Sequence, residues 1–301
     1  MAISTKILKS RIKSIQNTMK ITKAMELVAA TKMRKAVNQV LASRSYSDLA
    51  WDILTRIKSK TNSKWHPLLN DIKQPKRVLL VVISSNRGLC GGYNTQLSRE
   101  VTRYIRAREE STFELALVGK KARSLLSIFG DHIIADFIKE DVITQINEIF
   151  SLSHFILDDF TKLKYDAVVV AYTDFISSLK QIPRLRQLLP IQGKDEYLGE
   201  IDTKQSTFKS QMKKNGSEYL FEPDAERVLN QLLPRLIEIQ LYQAYLEANA
   251  SEHAARMMAM RSASDAASDL IFDLQLNFNQ ARQAAITREI AEISAGKAVL
   301  E

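Results

Sequence analysis

Glycine and proline are absent from the first 66 residues of the chain, and Pro67 is the first of either. A second stretch without them runs from Arg235 to Ala295. These residue types make turns and end helices, so their absence excludes a series of short, loop-joined elements at either end. At 1.5 Å of rise per residue, runs of this size permit helices of roughly 80 to 100 Å; an ordinary globular helix has about 11 to 12 residues. Cys90 is the only cysteine, which excludes an intrachain disulfide and fits a reducing compartment. Apolar runs stay well short of the roughly 18 residues that cross a bilayer. The N-terminal MAISTKILKS also lacks the apolar core of a secretion signal. The expectation is a soluble chain, or one peripheral to a membrane through a partner.

Acidic residues are scarce at the N-terminus. Residues 1–60 hold 3 of them against 13 Lys or Arg, a net of +10 in a chain of net +9, so the remainder sums to −1. Lys6, Lys9, Arg11, Lys13, Lys20, Lys23, Lys32, Arg34 and Lys35 make this segment attractive to polyanions. Nucleic acid, anionic lipid and an acidic protein surface all fit that charge. Base-stacking aromatics are missing, since the first aromatic is Tyr46, and Trp51 is the one tryptophan available as a membrane anchor within residues 1–60. The residues alone leave the three partners open.

The long runs carry seams. At the C-terminal end Met257, Met260, Ser264, Ala267, Ile271, Leu274, Phe278, Ala281 and Ala285 alternate steps of three and four without a charge, the spacing of a coiled coil. At the N-terminal end Leu8, Ile12, Ile15, Met19 and Thr22 do the same. The pattern slips through residues 22–33 and resumes at Ala36, Val40, Ser43, Ser47, Ala50, Leu54 and Ile57. Residues 224–301 hold 7 basic and 11 acidic residues, a net of −4 that complements the basic N-terminal segment.

Between the runs the pattern changes. Residues 77–84, 113–119, 132–137 and 166–175 read as strands, with helix-like stretches at 94–110, 119–129 and 141–163. Strand–helix alternation implies a mostly parallel sheet covered by helices. The expected organisation is an N-terminal coiled-coil helix (1–66), an inserted Rossmann-like α/β domain (77–192), a polar linker (193–223) and a C-terminal coiled-coil helix (224–301). The class is thus α+β for the whole chain, with an α/β insert.

The stretch SSNRGLCGGYN (84–94) puts glycines between a strand and a helix, where phosphates are often held. It matches neither G-x-x-x-x-G-K-[ST] nor G-x-G-x-x-G, and Gly119-Lys120 lacks both the earlier glycine and the hydroxyl of a P-loop. Gly88, Gly91 and Gly92 are therefore read as structural turn residues that allow positive φ. His66, His132, His154 and His253 stand in unrelated contexts without metal-ligand spacing. Cys90 reads as a small buried hydrophobe, and the adjacent Asp158 and Asp159 point apart on a helix. No catalytic set, cofactor site or metal site is expected.

Three stretches, RIKSIQNTMKITKAMELVAATKMRKA (11–36), SSNRGLCGGYN and residues 251–301 beginning SEHAARMMAMRSASDAASDL, resemble the gamma subunits of F-type ATP synthases. They fall in family order at both ends and in the middle. Asn86 departs from the family, where an acidic residue is usual. The resemblance implies a rotor shaft: the two terminal helices form an antiparallel coiled coil inside a hexamer of alpha and beta subunits. The α/β domain joins the epsilon subunit in a foot on the membrane ring of c subunits, and ATP binds on beta. It implies contacts to beta levers and loops from Met25, Lys23, Arg34, Arg256, Gln283, Thr287 and Glu289. An apolar bearing would surround Ile293, Val299 and Leu300, with Lys297 and Glu301 at its polar rim. No nucleic acid is implied, and the membrane is reached only through partners. Without a transit peptide or the cysteine pair inserted in chloroplast relatives, the resemblance points to a bacterial form on the cytoplasmic face of the plasma membrane.

Overall fold

The computed structural model describes residues 5–60, 66–70, 74–141, 145–191 and 225–300, with side chains described for 5–43 and 227–294 of the two terminal helices. The polar segment 193–223 lies outside the described residues. Helix α1 spans Thr5–Lys60 and helix α5 spans Ala225–Leu300, each without a break. Between them come β1 (Arg77–Ile83), α2 (Tyr93–Arg106), β2 (Thr112–Val118), α3 (Lys120–Leu125), β3 (Ile133–Phe137), α4 (Phe150–Thr161), β4 (Ala167–Phe175) and β5 (Gln181–Leu189). The described residues fall into two compact units, Met1–Ala29 with Met257–Glu301, and Ala30–Arg256.

The first unit is an antiparallel helix pair. Thr22 and Ser264, both seam positions, share a hydroxyl–hydroxyl hydrogen bond of 2.7 Å. If partner numbers rise along α5 as they fall along α1, Thr5, 17 residues before Thr22, faces Ala281, 17 residues after Ser264. Burial along α5 stops there: Met260, Ser264 and Ala267 are buried, Ile271, Leu274, Phe278 and Ala281 are half-buried, and residues 282–294 are all exposed. Ala285, expected in the seam, is exposed; it lies past the part of α5 that faces Thr5, the first described residue of α1.

The expected slip through residues 22–33 does not occur. Glu26, Ala29 and Met33 continue the three–four spacing from Thr22 to Ala36, and all are buried or half-buried. Glu26 conceals the register in the sequence because a carboxylate rarely occupies a seam. Lys23 answers it at 2.9 Å one turn away, leaving the Glu26 side chain 14% exposed.

The second unit is built on a five-stranded sheet of order β3-β2-β1-β4-β5. Four strands are parallel, and β5 runs antiparallel to β4 at one edge. Alternation along each strand divides the side chains between two faces. Val78, Leu80 and Val82 of β1 pack with Leu97 and Val101 of α2 and Ala122 of α3. Leu79, Val81 and Ile83 pack with Ile156 and Phe160 of α4, with α5, and with Ala36 and Val40 of α1. Leu97, Val101, Leu79 and Val40 are essentially inaccessible. Truncating such aliphatic side chains typically costs about 2–5 kcal/mol.

Strand β5 has no counterpart among the sequence-based strands. It reads QIPRLRQLL, in which Pro183 and two arginines argue against a sheet interior. As an edge strand it tolerates the proline, and Arg184 is paired at 2.7 Å with the buried Asp174 of β4. The stretch 119–129 contains α3 followed by a 3-10 turn, Ser127–His132. In that from 141, residues 142–144 lie outside the described residues, and a 3-10 turn, Ile146–Ile149, whose capping box joins Gln145 and Glu148, leads into α4. Pro234 lies inside α5. The carbonyl that it deprives of a partner belongs to Asn230, an exposed residue where water can substitute.

Gly119 precedes α3 with φ +91°, and an added Cβ would lie 2.7 Å from the Ser84 carbonyl oxygen. Ser84 cannot retreat, because its hydroxyl also accepts from the Ala122 N–H at 3.0 Å and so caps α3. Gly119→Ala is expected to lower unfolding free energy by about 1–3 kcal/mol, measured by urea titration. A change below a few tenths would show that the loop yields freely.

Candidate functional site

In open α/β sheets, ligands bind beyond the carboxyl ends of the strands where the strand order reverses. Here that point lies between β1 and β4, and SSNRGLCGGYN leaves β1 directly into it. Helix α5 stands across the position. Tyr93, buried at the start of α2, donates to the Ala248 carbonyl at 3.2 Å and lies 3.5 Å from that of Ile83. Arg256 donates to the carbonyls of Arg87 at 3.3 Å and Gly88 at 3.4 Å. The crevice that would receive a nucleotide is thus filled by the chain's own helix.

The loop is shaped for this docking. Gly91 has φ +56° and requires glycine's freedom, as expected. Gly88 and Gly92 have no positive φ. Gly92 instead caps α2 at φ −82°, and the second left-handed residue is Leu89 at φ 61°. Cys90 is buried, and its sulfur accepts from Asn94 Nδ2 at 3.2 Å. Burial pushes the thiol pKa up, although Arg256 opposes this, so the sulfur is a poor nucleophile. Asn86 donates from Nδ2 to the Lys139 carbonyl at 2.5 Å, a bond that an ionised acidic side chain cannot make.

Beneath the loop lies a charged cluster. Lys139 Nζ and Glu252 Oε2 are 2.5 Å apart with side chains only 1% and 5% exposed. The rings of Tyr93 and Tyr245 stand 5.9 Å from the ammonium. Glu252 also accepts from Arg256 at 2.8 Å. Burial alone would raise the Glu252 pKa, but Lys139 and Arg256 outweigh it and hold the carboxyl below its ordinary value. Asp141 pairs with Lys32 at 2.9 Å and lies 3.9 Å from Arg87.

Of the expected contact residues, Arg256 is therefore committed inside the chain, with a side chain 12% exposed. Its spacing on a helix could not reveal that use. Lys23 and Arg34 are exposed and Met25 is half-buried. Gln283, Thr287, Glu289 and Ile293 all lie exposed on α5 beyond the end of the helix pair. Ile286 and Ile290, not singled out from the sequence, share a stripe with Ile293 at steps of four and three and are 49%, 59% and 67% exposed. Val299 and Leu300 end α5, and their side chains, like that of Lys297, lie outside the described ones, as does Glu301. His66 caps a turn and binds Asn230 at 2.9 Å, and His154 stacks on Phe150. Asp159 pairs with Lys164 while Asp158 faces solvent, so the two point apart.

No helix among the described residues is long and apolar enough to cross a membrane. A family model described as ATP synthase matches residues 4–300. An ATP synthase gamma chain from Nitrosococcus oceani is 39% identical over 299 residues, covering 99% of each chain. One from Herpetosiphon aurantiacus is 38% identical over 307 residues, also covering 99% of each. Among solved structures, the central stalk and c-ring of the Tetrahymena thermophila mitochondrial ATP synthase contains a chain 25% identical with a TM-score of 0.59. That match covers 81% of this chain and 99% of the other. A chain of the Euglena gracilis mitochondrial enzyme shares the fold at TM-score 0.65 and 18% identity, over 98% of this chain and 94% of that one. The antiparallel helix pair, the sheet inserted between its helices and the full-length match together place this chain in the family of ATP synthase gamma chains.

Proposed function

We propose that the chain is the rotor subunit of an F-type ATP synthase, turning inside an alpha–beta hexamer to couple proton flow through the c-ring to ATP synthesis or hydrolysis on beta. The observation that carries this reading is the bare end of α5. From residue 282 to 294 the helix lies past the part that faces the described residues of α1, yet it keeps Ile286, Ile290 and Ile293 on one exposed stripe. Apolar side chains in register on a lone helix call for an enclosing apolar surface, and a bearing formed by the hexamer supplies one. Val299 and Leu300 extend the same tip.

Three beta sites of one sequence can hold different affinities only if something touches each of them differently, and it shifts them by its differential free energy. Lys23, Met25 and Arg34 on α1 and Gln283, Thr287 and Glu289 on α5 are the side chains assigned to such contacts. Arg256 leaves this set for its internal role. The chain supplies no catalytic group and needs no cofactor. Epsilon and the c-ring meet the α/β domain, and the chain reaches the cytoplasmic face of the bacterial plasma membrane only through these partners.

Affinity purification of the tagged chain from membranes tests the reading. Alpha, beta and epsilon subunits are expected to co-elute, and the isolated chain to hydrolyse no ATP above background. Elution without them, or retention on DNA at about 0.15 M salt with a steep salt dependence, would replace it.

A further inference from the structure

Both ring nitrogens of His253 have their roles fixed by their partners. Nε2 lies 3.0 Å from the carbonyl oxygen of Asp141, which only accepts. Nδ1 lies 3.3 Å from Nη1 of Arg256, which only donates. Neutral imidazole protonated on Nε2 satisfies both. A second proton would sit on Nδ1, aimed at a guanidinium N–H, in a side chain only 3% exposed.

The surroundings oppose that proton further. Glu252 and Arg256 flank the ring on α5, and Lys139 and Asp141 follow β3. Lys32 reaches Asp141 from α1 and Arg87 reaches it from the loop. Cys90, Tyr93 and Tyr245 also lie in the cluster, each with its pKa pushed up by burial and so uncharged, while Glu140 and Glu148 act on Tyr245. Two carboxylates already answer to four cations, and an imidazolium would be a fifth. We infer that His253 is a proton-sensitive latch. Neutral, it accepts from Arg256 and helps to hold that guanidinium on the carbonyls of Arg87 and Gly88; protonated, it displaces Arg256 and releases the glycine loop from α5. Burial, with the positive charge of Arg256 and Lys139, also keeps the ring's pKa below the ordinary 6.5, although Asp141 and Glu252 oppose this.

Hydrogen exchange in the purified full chain tests the latch. Exchange at imidazole C2 is expected to give His253 a midpoint below 6.5. Backbone amides of residues 86–92, corrected for intrinsic rates, should exchange at least about threefold faster near pH 5.5 than near pH 7.5. In His253→Gln, which keeps a donor and an acceptor but does not titrate in this range, the acceleration should vanish. An acceleration that persists in His253→Gln would overturn the proposal. If that variant does not fold, the wild-type measurements decide: a His253 midpoint at or above 6.5, or loop exchange independent of pH, overturns it as well.

Discussion

Glu252→Ala is expected to lower the unfolding free energy of the full chain by about 3–5 kcal/mol, measured by urea titration followed by circular dichroism. The substitution removes the carboxylate that neutralises Lys139 across a 2.5 Å contact, and it takes the same partner from Arg256 at 2.8 Å. Two cations then share a site almost closed to water, where the loss of one member of a pair is far more costly than the loss of both. Lys139→Met with Glu252→Leu should therefore recover most of the stability that Glu252→Ala loses. A single substitution costing less than about 1 kcal/mol would mean that water reaches the ammonium. Acid carries the same signature. The folded-state pKa of Glu252 is depressed, so its contribution is present above the ordinary 4.5 and is lost as pH falls through the folded value. His253 is depressed too, so its contribution begins to fall near the ordinary 6.5, at higher pH. Wild-type stability should decline in two stages on acidification, and Glu252→Ala should weaken the lower one, to which Asp141 and Asp166, also held below the ordinary carboxylate value, contribute as well.

This cluster was invisible in the sequence for a physical reason. Lys139, Glu252, His253 and Arg256 look like solvated residues when read one at a time, and only the docking of α5 against the sheet brings Lys139 to Glu252. Residues 236–254 of α5 are buried on every face apart from the half-buried Tyr242, although Glu238, Gln240, Gln243, Glu247 and Asn249 lie among them. Periodicity reports one apolar face and has no signal for a helix enclosed all round. The parts that were legible obey simpler rules. The absence of glycine and proline foretold two continuous helices, and the spacing from Met257 to Ala281 foretold the buried stripe of α5. The apolar runs of β1, β2 and β4 foretold strands buried on both faces. Strand β5 escaped because an arginine-bearing edge strand is stabilised by a neighbour, Asp174, rather than by its own pattern. The glycine motif announced a turn correctly at Gly91, while the filling of its crevice depended on a helix more than 150 residues away.

Ala267→Pro is expected to abolish coupled ATP synthesis, reducing it at least about tenfold in inverted membrane vesicles, while Ala267→Ser stays within about twofold of wild type. Ala267 is a buried seam position of the helix pair. Proline there removes its N–H and drives its ring into the carbonyl of Ala263, at a cost of about 3 kcal/mol or more. Pro234 is tolerated in the same helix because its orphaned carbonyl, on Asn230, is exposed. Ala263 is half-buried beside the seam, and the register there depends on neighbours as small as Ser264 and Ala267, so the pair has little apolar burial in reserve to hold a kinked helix straight. The kink should also open the backbone after Arg261 to trypsin, giving a physical readout separate from activity. Torque passes along a helix only while its hydrogen-bond ladder is continuous, since a flexible joint takes up rotation instead of transmitting it. Synthesis that survives in a variant cleaved after Arg261 would mean that the ladder of α5 is not what carries the coupling, and the rotor reading would then have to rest on the α/β domain alone.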